Sequence, residues 1–212
     1  MKRLLHALGL SAVIVLLASW SGQEADKTSF FGEVTTRQGN ILKLTSIRIG
    51  RDRNAALSKQ IPVYEKPVEH AAATPITGSQ NQEIVLTVEP ETQLFKKFID
   101  LNEISDVSIP EPEIVWSYKK EKQYGKMEYI EVIIVKPGSS EHYLIDRRMK
   151  LFGDTIQPKQ VEPAKPFPQK GPEESEVPLP AIKQVHVEGY YFKQENGIPV
   201  QMPACTPFPV KP

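Results

Sequence analysis

The stretch from Glu128 to Val135 constrains the fold more than any other. Ile130, Val132 and Ile134 fall on one face of an extended chain, and Tyr129, Ile133 and Val135 on the other. A strand apolar on both faces has no side to give to water, so it belongs in the middle of a sheet. Upstream, Glu113 to Lys119 alternates, with Ile114, Trp116 and Tyr118 on one face. Downstream, Lys136-Pro137-Gly138-Ser139-Ser140 reads as a turn into His142 to Asp146, completing a hairpin.

Further strand text flanks this centre. Phe31 to Thr36 and Ile41 to Ile49 surround Arg37-Gln38-Gly39-Asn40, a second hairpin signal. Ile61 to Pro67 can be extended, but Pro62 has no N–H to give a ladder and places that run at an edge. Residues 68–82, with three consecutive alanines, Thr74-Pro75 and Gly78-Ser79, read as a flexible insertion. Glu83 to Val88 resumes the sheet, and Leu151 to Ile156 reads as another short strand.

The apolar residues Ile99, Leu101, Ile104, Val107 and Ile109 step by two, three, three and two. Steps of two mark strand and steps of three mark one tight helical turn, so the chain runs strand, single turn, strand. Seventy-eight residues later Val177, Leu179, Ile182, Val185 and Val187 repeat the stepping. Each copy follows a pair of strand-like runs, which suggests an internal repeat. The pattern resembles the closing connection of small SH3-like barrels, a fold that hosts many unrelated functions. The expected fold is all-β: two related barrel-like or sandwich modules, at 28–110 and 112–192, or one sandwich built from both.

Nineteen prolines against twelve glycines is an unusual balance. Five prolines among residues 157–176 predict a disordered loop, and five more among 197–212 predict a frayed tail within a Pro-rich segment at 193–212. At the other end Lys2 and Arg3 precede an apolar run from Leu4 to Ala18, then Ser19-Trp20-Ser21-Gly22. This is the layout of a signal peptide, residues 1–21, cleaved after Ser21. The apolar run falls short of the roughly 20 residues that cross a bilayer as a helix. An exported chain, periplasmic or extracellular, with no membrane span after cleavage is therefore expected. Cys205 is the only cysteine, so an internal disulfide is excluded.

Twenty-six basic and 26 acidic residues balance, which argues against a nucleic-acid partner. The sequence has no Gly-x-Ser-x-Gly elbow. His70, His142 and His186 share no ligand spacing, although His142, Asp146 and His186 could meet if their strands pair. No catalytic residue, metal or cofactor is assigned. Two basic clusters stand out: Lys119, Lys120 and Lys122 with nearby Tyr124, and Arg147, Arg148 and Lys150. Together they are the candidate contact site, a positive rim for an anionic glycan or an envelope protein. The expected function is a non-catalytic binding or envelope-associated module. The alternative is a small secreted hydrolase or a metal-dependent enzyme.

Overall fold

The computed structural model describes residues 28–54, 56–66, 71–75, 84–88, 94–118, 127–156, 174–194 and 197–208. Among them the strands are β1 (Thr28–Thr36), β2 (Ile41–Gly50), β3 (Gln60–Glu65), β4 (Ala71–Pro75), β5 (Ile84–Val88), β6 (Lys96–Asp100), β7 (Asp106–Ser108), β8 (Ile114–Tyr118), β9 (Met127–Lys136), β10 (Ser139–Asp146), β11 (Lys150–Thr155), β12 (Glu174–Pro178), β13 (Ile182–Lys193) and β14 (Pro199–Pro203). Single 3-10 turns, Leu101–Glu103 and Leu179–Ala181, join β6 to β7 and β12 to β13. The strands form one curled, barrel-like sheet in the order β12-β11-β2-β1-β13-β7-β9-β10-β3-β6, with β14 added on β13 and β4-β5-β8 added on β9. Pairing is antiparallel except between β5 and β8. The all-β expectation holds.

The doubly apolar strand is central. β9 pairs with β10 along one edge, and with β7 and then β8 along the other. Its Ile130, Val132 and Ile134 are fully buried. The two hairpins turn at Gly39 and Gly138, whose φ of +86° and +78° favour a residue without Cβ. All ten apolar positions of the stepped motif are buried in one continuous core. In each turn the backbone closes on itself, Ile104 N–H donating to Leu101 C=O and Ile182 N–H to Leu179 C=O. Leu101 N–H donates to Lys59 C=O at 2.7 Å, and Leu179 N–H makes the matching bond to Met149 C=O at 3.1 Å.

Strands from before and after residue 111 interleave rather than forming separate sheets. β1 and β2 pair with β13 and β11, whereas β3 pairs with β10 and β7 with β9. Where β1 crosses β13 the register shifts between Phe31 and Gly32, and a Cβ on Gly32 would lie 2.0 Å from the His186 carbonyl oxygen.

The proline-based expectations need correction in four places. First, β3 is not an edge strand, since it lies between β10 and β6. Glu65 N–H donates to Phe95 C=O and Leu101 N–H to Lys59 C=O, so odd residues of β3 bond to β6. Pro62 therefore faces β10, and that ladder stops at Tyr64 before a Pro62 N–H is needed. Second, the insertion at 68–82 contains β4, an outer strand on β5, with Pro75 at its end; 68–70 and 76–82 lie outside the described residues. Third, Glu174, Ser175 and Glu176 belong to β12 rather than to a loop, and 157–173 lie outside the described residues.

The C-terminal segment is the fourth. β14 pairs with β13 from Gly189 to Lys193, and Ala204 N–H donates to Glu188 C=O at 3.0 Å. With Ala204 facing β13, alternation turns Pro199, Gln201 and Pro203 outward, so both prolines sit where no N–H is required. Beyond the strand, Tyr190 Oη donates to the carbonyls of Thr206 and Pro207 at 3.2 and 3.1 Å. Phe208 packs edge-on against Tyr190 and Phe30, at ring-centroid distances of 5.3 and 6.3 Å. Truncation after Pro203 removes these contacts and opens Phe30 and Tyr190 to water. We expect it to cost about 2–4 kcal/mol in urea unfolding, from lost aromatic packing and orphaned hydrogen-bond groups. An unchanged midpoint would show that the segment does not support the core.

Candidate contact face

Of the two basic clusters, Arg147, Arg148 and Lys150 are described, at the connection from β10 to β11. Asp146, the last residue of β10, anchors this turn. Met149 N–H donates to Asp146 C=O at 3.0 Å, and the Asp146 side chain is 2% exposed. Its carboxylate accepts bonds from the Arg148 backbone N–H at 3.0 Å and from Arg148 Nε at 3.2 Å. Arg51, at the end of β2, adds Nε at 2.8 Å and a second guanidinium nitrogen. Burial alone pushes this carboxyl up, but the hydrogen bonds of Arg148 and the bonds and charge of Arg51 outweigh it. The group is held below the usual carboxylate range.

Arg148 is thus committed to holding a buried charge. Lys150 Nζ pairs with Glu176 across the β11–β12 ladder, an exposed pair of little energetic weight. Arg147 differs, because its backbone N–H donates to Glu128 C=O at 3.0 Å and its guanidinium reaches the Glu128 carboxylate at 3.5 Å. Glu128 follows Met127, and Met127 pairs with Tyr118, the last residue of β8. The chain that carries Lys119, Lys120, Lys122 and Tyr124 leaves and re-enters the sheet at this point; those four residues lie outside the described ones.

His142 and His186 do not assemble with Asp146, and His70 lies outside the described residues. His142 on β10 faces Glu131 on β9 at 2.7 Å, and Lys66 Nζ takes the other oxygen of that carboxylate at 2.6 Å. Burial raises Glu131, yet the hydrogen bonds of Lys66 and His142 bring it down overall. His186 on β13 bonds Asp106 on β7 at 2.9 Å, and Gln184 Nε2 donates to the same oxygen at 2.9 Å. Asp106 is likewise lowered, its burial outweighed by bonds from His186, Gln184 and Ser105. Among the described residues, no three His, Cys, Asp or Glu side chains gather where they could hold a metal ion. The Cys205 thiol is pushed up by its burial and by the Asp106 charge, which disfavours the reactive thiolate.

A second apolar cluster lies behind the β8–β9 ladder: Trp116, Tyr129 and Leu144, with Tyr64, Leu86 and Tyr118 packed on it. Tyr64 meets Tyr129 edge-on at 4.9 Å, and Lys66 Nζ lies 5.4 Å from the Trp116 ring centre. This cluster seats β8 on β9 and so fixes where the β8–β9 connection emerges. The sequence marked Trp116 and Tyr118 as one face of a strand but carried no sign of the Asp146–Arg51 pair. Those partners are 95 positions apart and meet only through the β2–β11 and β10–β11 connections.

Comparison with protein-family models, with curated proteins and with solved structures finds no match to this chain.

Replacing Asp146 by Asn should cost on the order of 2–4 kcal/mol at pH 7, because two arginines then face a neutral amide. A carboxyl whose folded pKa is depressed stabilises the fold above its unfolded pKa, near 3.9, and loses that contribution as pH falls through the folded value. The gap between Asp146→Asn and the unsubstituted chain in urea unfolding should therefore be largest at pH 7 and shrink towards pH 2. A gap independent of pH would rule out the ionised pair as its cause.

Proposed function

We propose that this chain is an exported, non-catalytic binding or envelope-associated module that meets an anionic partner, a glycan or an acidic protein surface, through the ends of β8, β9 and β10. The observation that carries this reading is the backbone bond from Arg147 to Glu128. It anchors the turn bearing Arg147 beside the root of the connection bearing Lys119, Lys120, Lys122 and Tyr124. Two basic segments separated by the β9–β10 hairpin thereby arise from the same end of the sheet, and cations grouped on one rim raise the local concentration of an anionic ligand. Tyr124 adds an aromatic surface that sugar rings or apolar side chains can cover. The signal-peptide layout of residues 1–21 supports the exported setting.

We further infer that the two related modules are an internal duplication whose hairpins have been exchanged. Supporting this, the order β12-β11-β2-β1-β13 on one side of the sheet has the same connections as β6-β3-β10-β9-β7 on the other. In both, a hairpin adds to a three-strand unit closed by the stepped motif, but the hairpin and that unit lie on opposite sides of residue 111 in the chain. Separate fragments 28–110 and 112–212 should each lack cooperative unfolding and regain it on mixing. A fragment that folds alone would count against exchange.

The partner reading is tested on the rim without Arg148, whose reversal would unseat Asp146. The triple variant Lys119→Glu, Lys120→Glu and Arg147→Glu should elute from a sulfated-polysaccharide column at distinctly lower salt than the unsubstituted chain, with unchanged circular dichroism. Equal elution salt for the two proteins would remove the rim as the contact site.

A further inference from the structure

The sheet ends at β6, and among the described residues nothing pairs with its outer edge. The bonds from Glu65 N–H to Phe95 C=O and from Leu101 N–H to Lys59 C=O fix its alternation. Residues 95, 97, 99 and 101 turn their backbone groups to β3, so Lys96, Phe98 and Asp100 present theirs outward. The outer edges of β12 and β14 are blunted, because alternation turns Pro178 outward in the first and Pro199 and Pro203 in the second. β6 has no proline at its outward positions. It also carries exposed apolar surface, Phe98 being 48% exposed, and Phe95 just ahead of the strand is 60% exposed.

We propose that β6 is a self-association edge, which pairs antiparallel with β6 of a second copy of this chain about a twofold axis at Phe98. Three features of the strand fit that occupant. An antiparallel ladder centred on Phe98 sets Lys96 of each copy opposite Asp100 of the other, so both charges meet their opposites. It engages the outward N–H and C=O groups of Lys96, Phe98 and Asp100 on both copies, leaving none of them unmatched. It also places the two Phe98 rings side by side as a cross-strand aromatic pair, covering exposed ring surface that the Lys96 ammonium approaches to 4.7 Å from the ring centre. A shift of two residues in register would lose the aromatic pair and both Lys–Asp matches. The contact is isologous and closes on itself, which gives a dimer and not a filament. Asp100 is oriented for the role by Gln60 Nε2, which donates to its Oδ1 at 2.8 Å and leaves Oδ2 for the facing lysine.

Sedimentation equilibrium of the purified full chain from micromolar to several hundred micromolar should show a monomer–dimer equilibrium. Lys96→Glu sets like charges opposite one another and should weaken dimerisation at least about tenfold. Combining Lys96→Glu with Asp100→Lys restores opposite charges and should recover most of the affinity. Phe98→Cys with Cys205→Ser should form a reducible covalent dimer, since facing residues in a hydrogen-bonded pair have Cα atoms about 5.5 Å apart, within disulfide reach. This last variant changes only exposed or half-exposed positions, so it keeps the proposal testable if the charge swap disturbs the Gln60 bond. An unsubstituted chain that is monomeric throughout would overturn the proposal. So would a dimer indifferent to Lys96→Glu, or a folded Phe98→Cys chain that does not cross-link.

Discussion

The structure depends on the short ladder between β7 and β13. Gln184, Val185 and His186 face Ser108, Val107 and Asp106, and two flanking bonds extend the contact: Ile109 N–H to Lys183 C=O, and Val187 N–H to Ser105 C=O. Each strand has a further neighbour on its other edge, β9 for β7 and β1 for β13. The ladder is therefore the seam through which the two ends of the sheet become one. Its hydrogen bonds are few, and their leverage comes from the side chains. Val107, Ile109, Val185 and Val187 enter the same buried core, so opening the seam would expose apolar surface on both sides of it. The outer face carries the His186–Asp106 pair, which satisfies polar groups there and adds little stability at that exposure.

How much of this was legible follows from the range of each signal. Period-two alternation is local, and it placed β8, β9 and β11 within a residue and the end of β10 at Asp146, although it read the first three residues of β10 as turn and lead-in. The stepped motif was legible as strand, turn, strand in both copies, because a 3-10 turn and its flanking strands lie within eleven residues. What the motif did not announce was that the copies would meet. Partners along the sheet are set by which edges remain open after the hairpins form, and no local window reports that. The prolines misled for a related reason. Proline forbids a donor at one position, yet an antiparallel edge strand needs a donor only at every second one. Pro199 and Pro203 in β14, and Pro178 in β12, occupy the positions that need none. A count of prolines cannot see that parity, whereas the spacing of four between Pro199 and Pro203 is compatible with it.

The candidate site was legible as composition and not as wiring. Arg147, Arg148 and Lys150 read as one basic cluster, but the fold divides their work. Arg148 neutralises a carboxylate that the core has buried, Lys150 joins an exposed cross-strand pair, and Arg147 braces the root of the β8–β9 connection. A buried carboxylate with one arginine from its own turn and another from 95 residues away is a contact made by tertiary structure. Its energetic meaning is asymmetric. The intact pair contributes modestly because both partners were solvated before folding, while loss of one side strands the other. Charge balance over the whole chain is consistent with such pairing but does not predict it.

Interleaving also sets the order in which the chain can fold. The hairpin of β1 and β2 forms from neighbours, but its other partners, β13 and β11, are far along the chain: Thr28 lies opposite Phe192, and Ile49 opposite Leu151. Closing such loops costs entropy before any core is buried, so a sheet with this wiring belongs to the slowly folding end of all-β topologies. The hairpin of β9 and β10 escapes this constraint, because β7 and β8 precede it closely and cover its free edge. The side of the sheet containing β6, β3, β10, β9 and β7 can thus assemble within residues 60–146. It presents the open edge of β7, on which β13 lands. The stepped motif then acts twice, first closing the local side and later, through β13, recruiting the β1–β2 hairpin and the aromatic contacts of Tyr190 with Phe30 and Phe208. On this account the C-terminal segment closes the structure last, because its dock combines the Leu101–Glu103 turn, whose Asn102 donates to Thr206 C=O, with Tyr190, which is in place only once β13 has paired with β1.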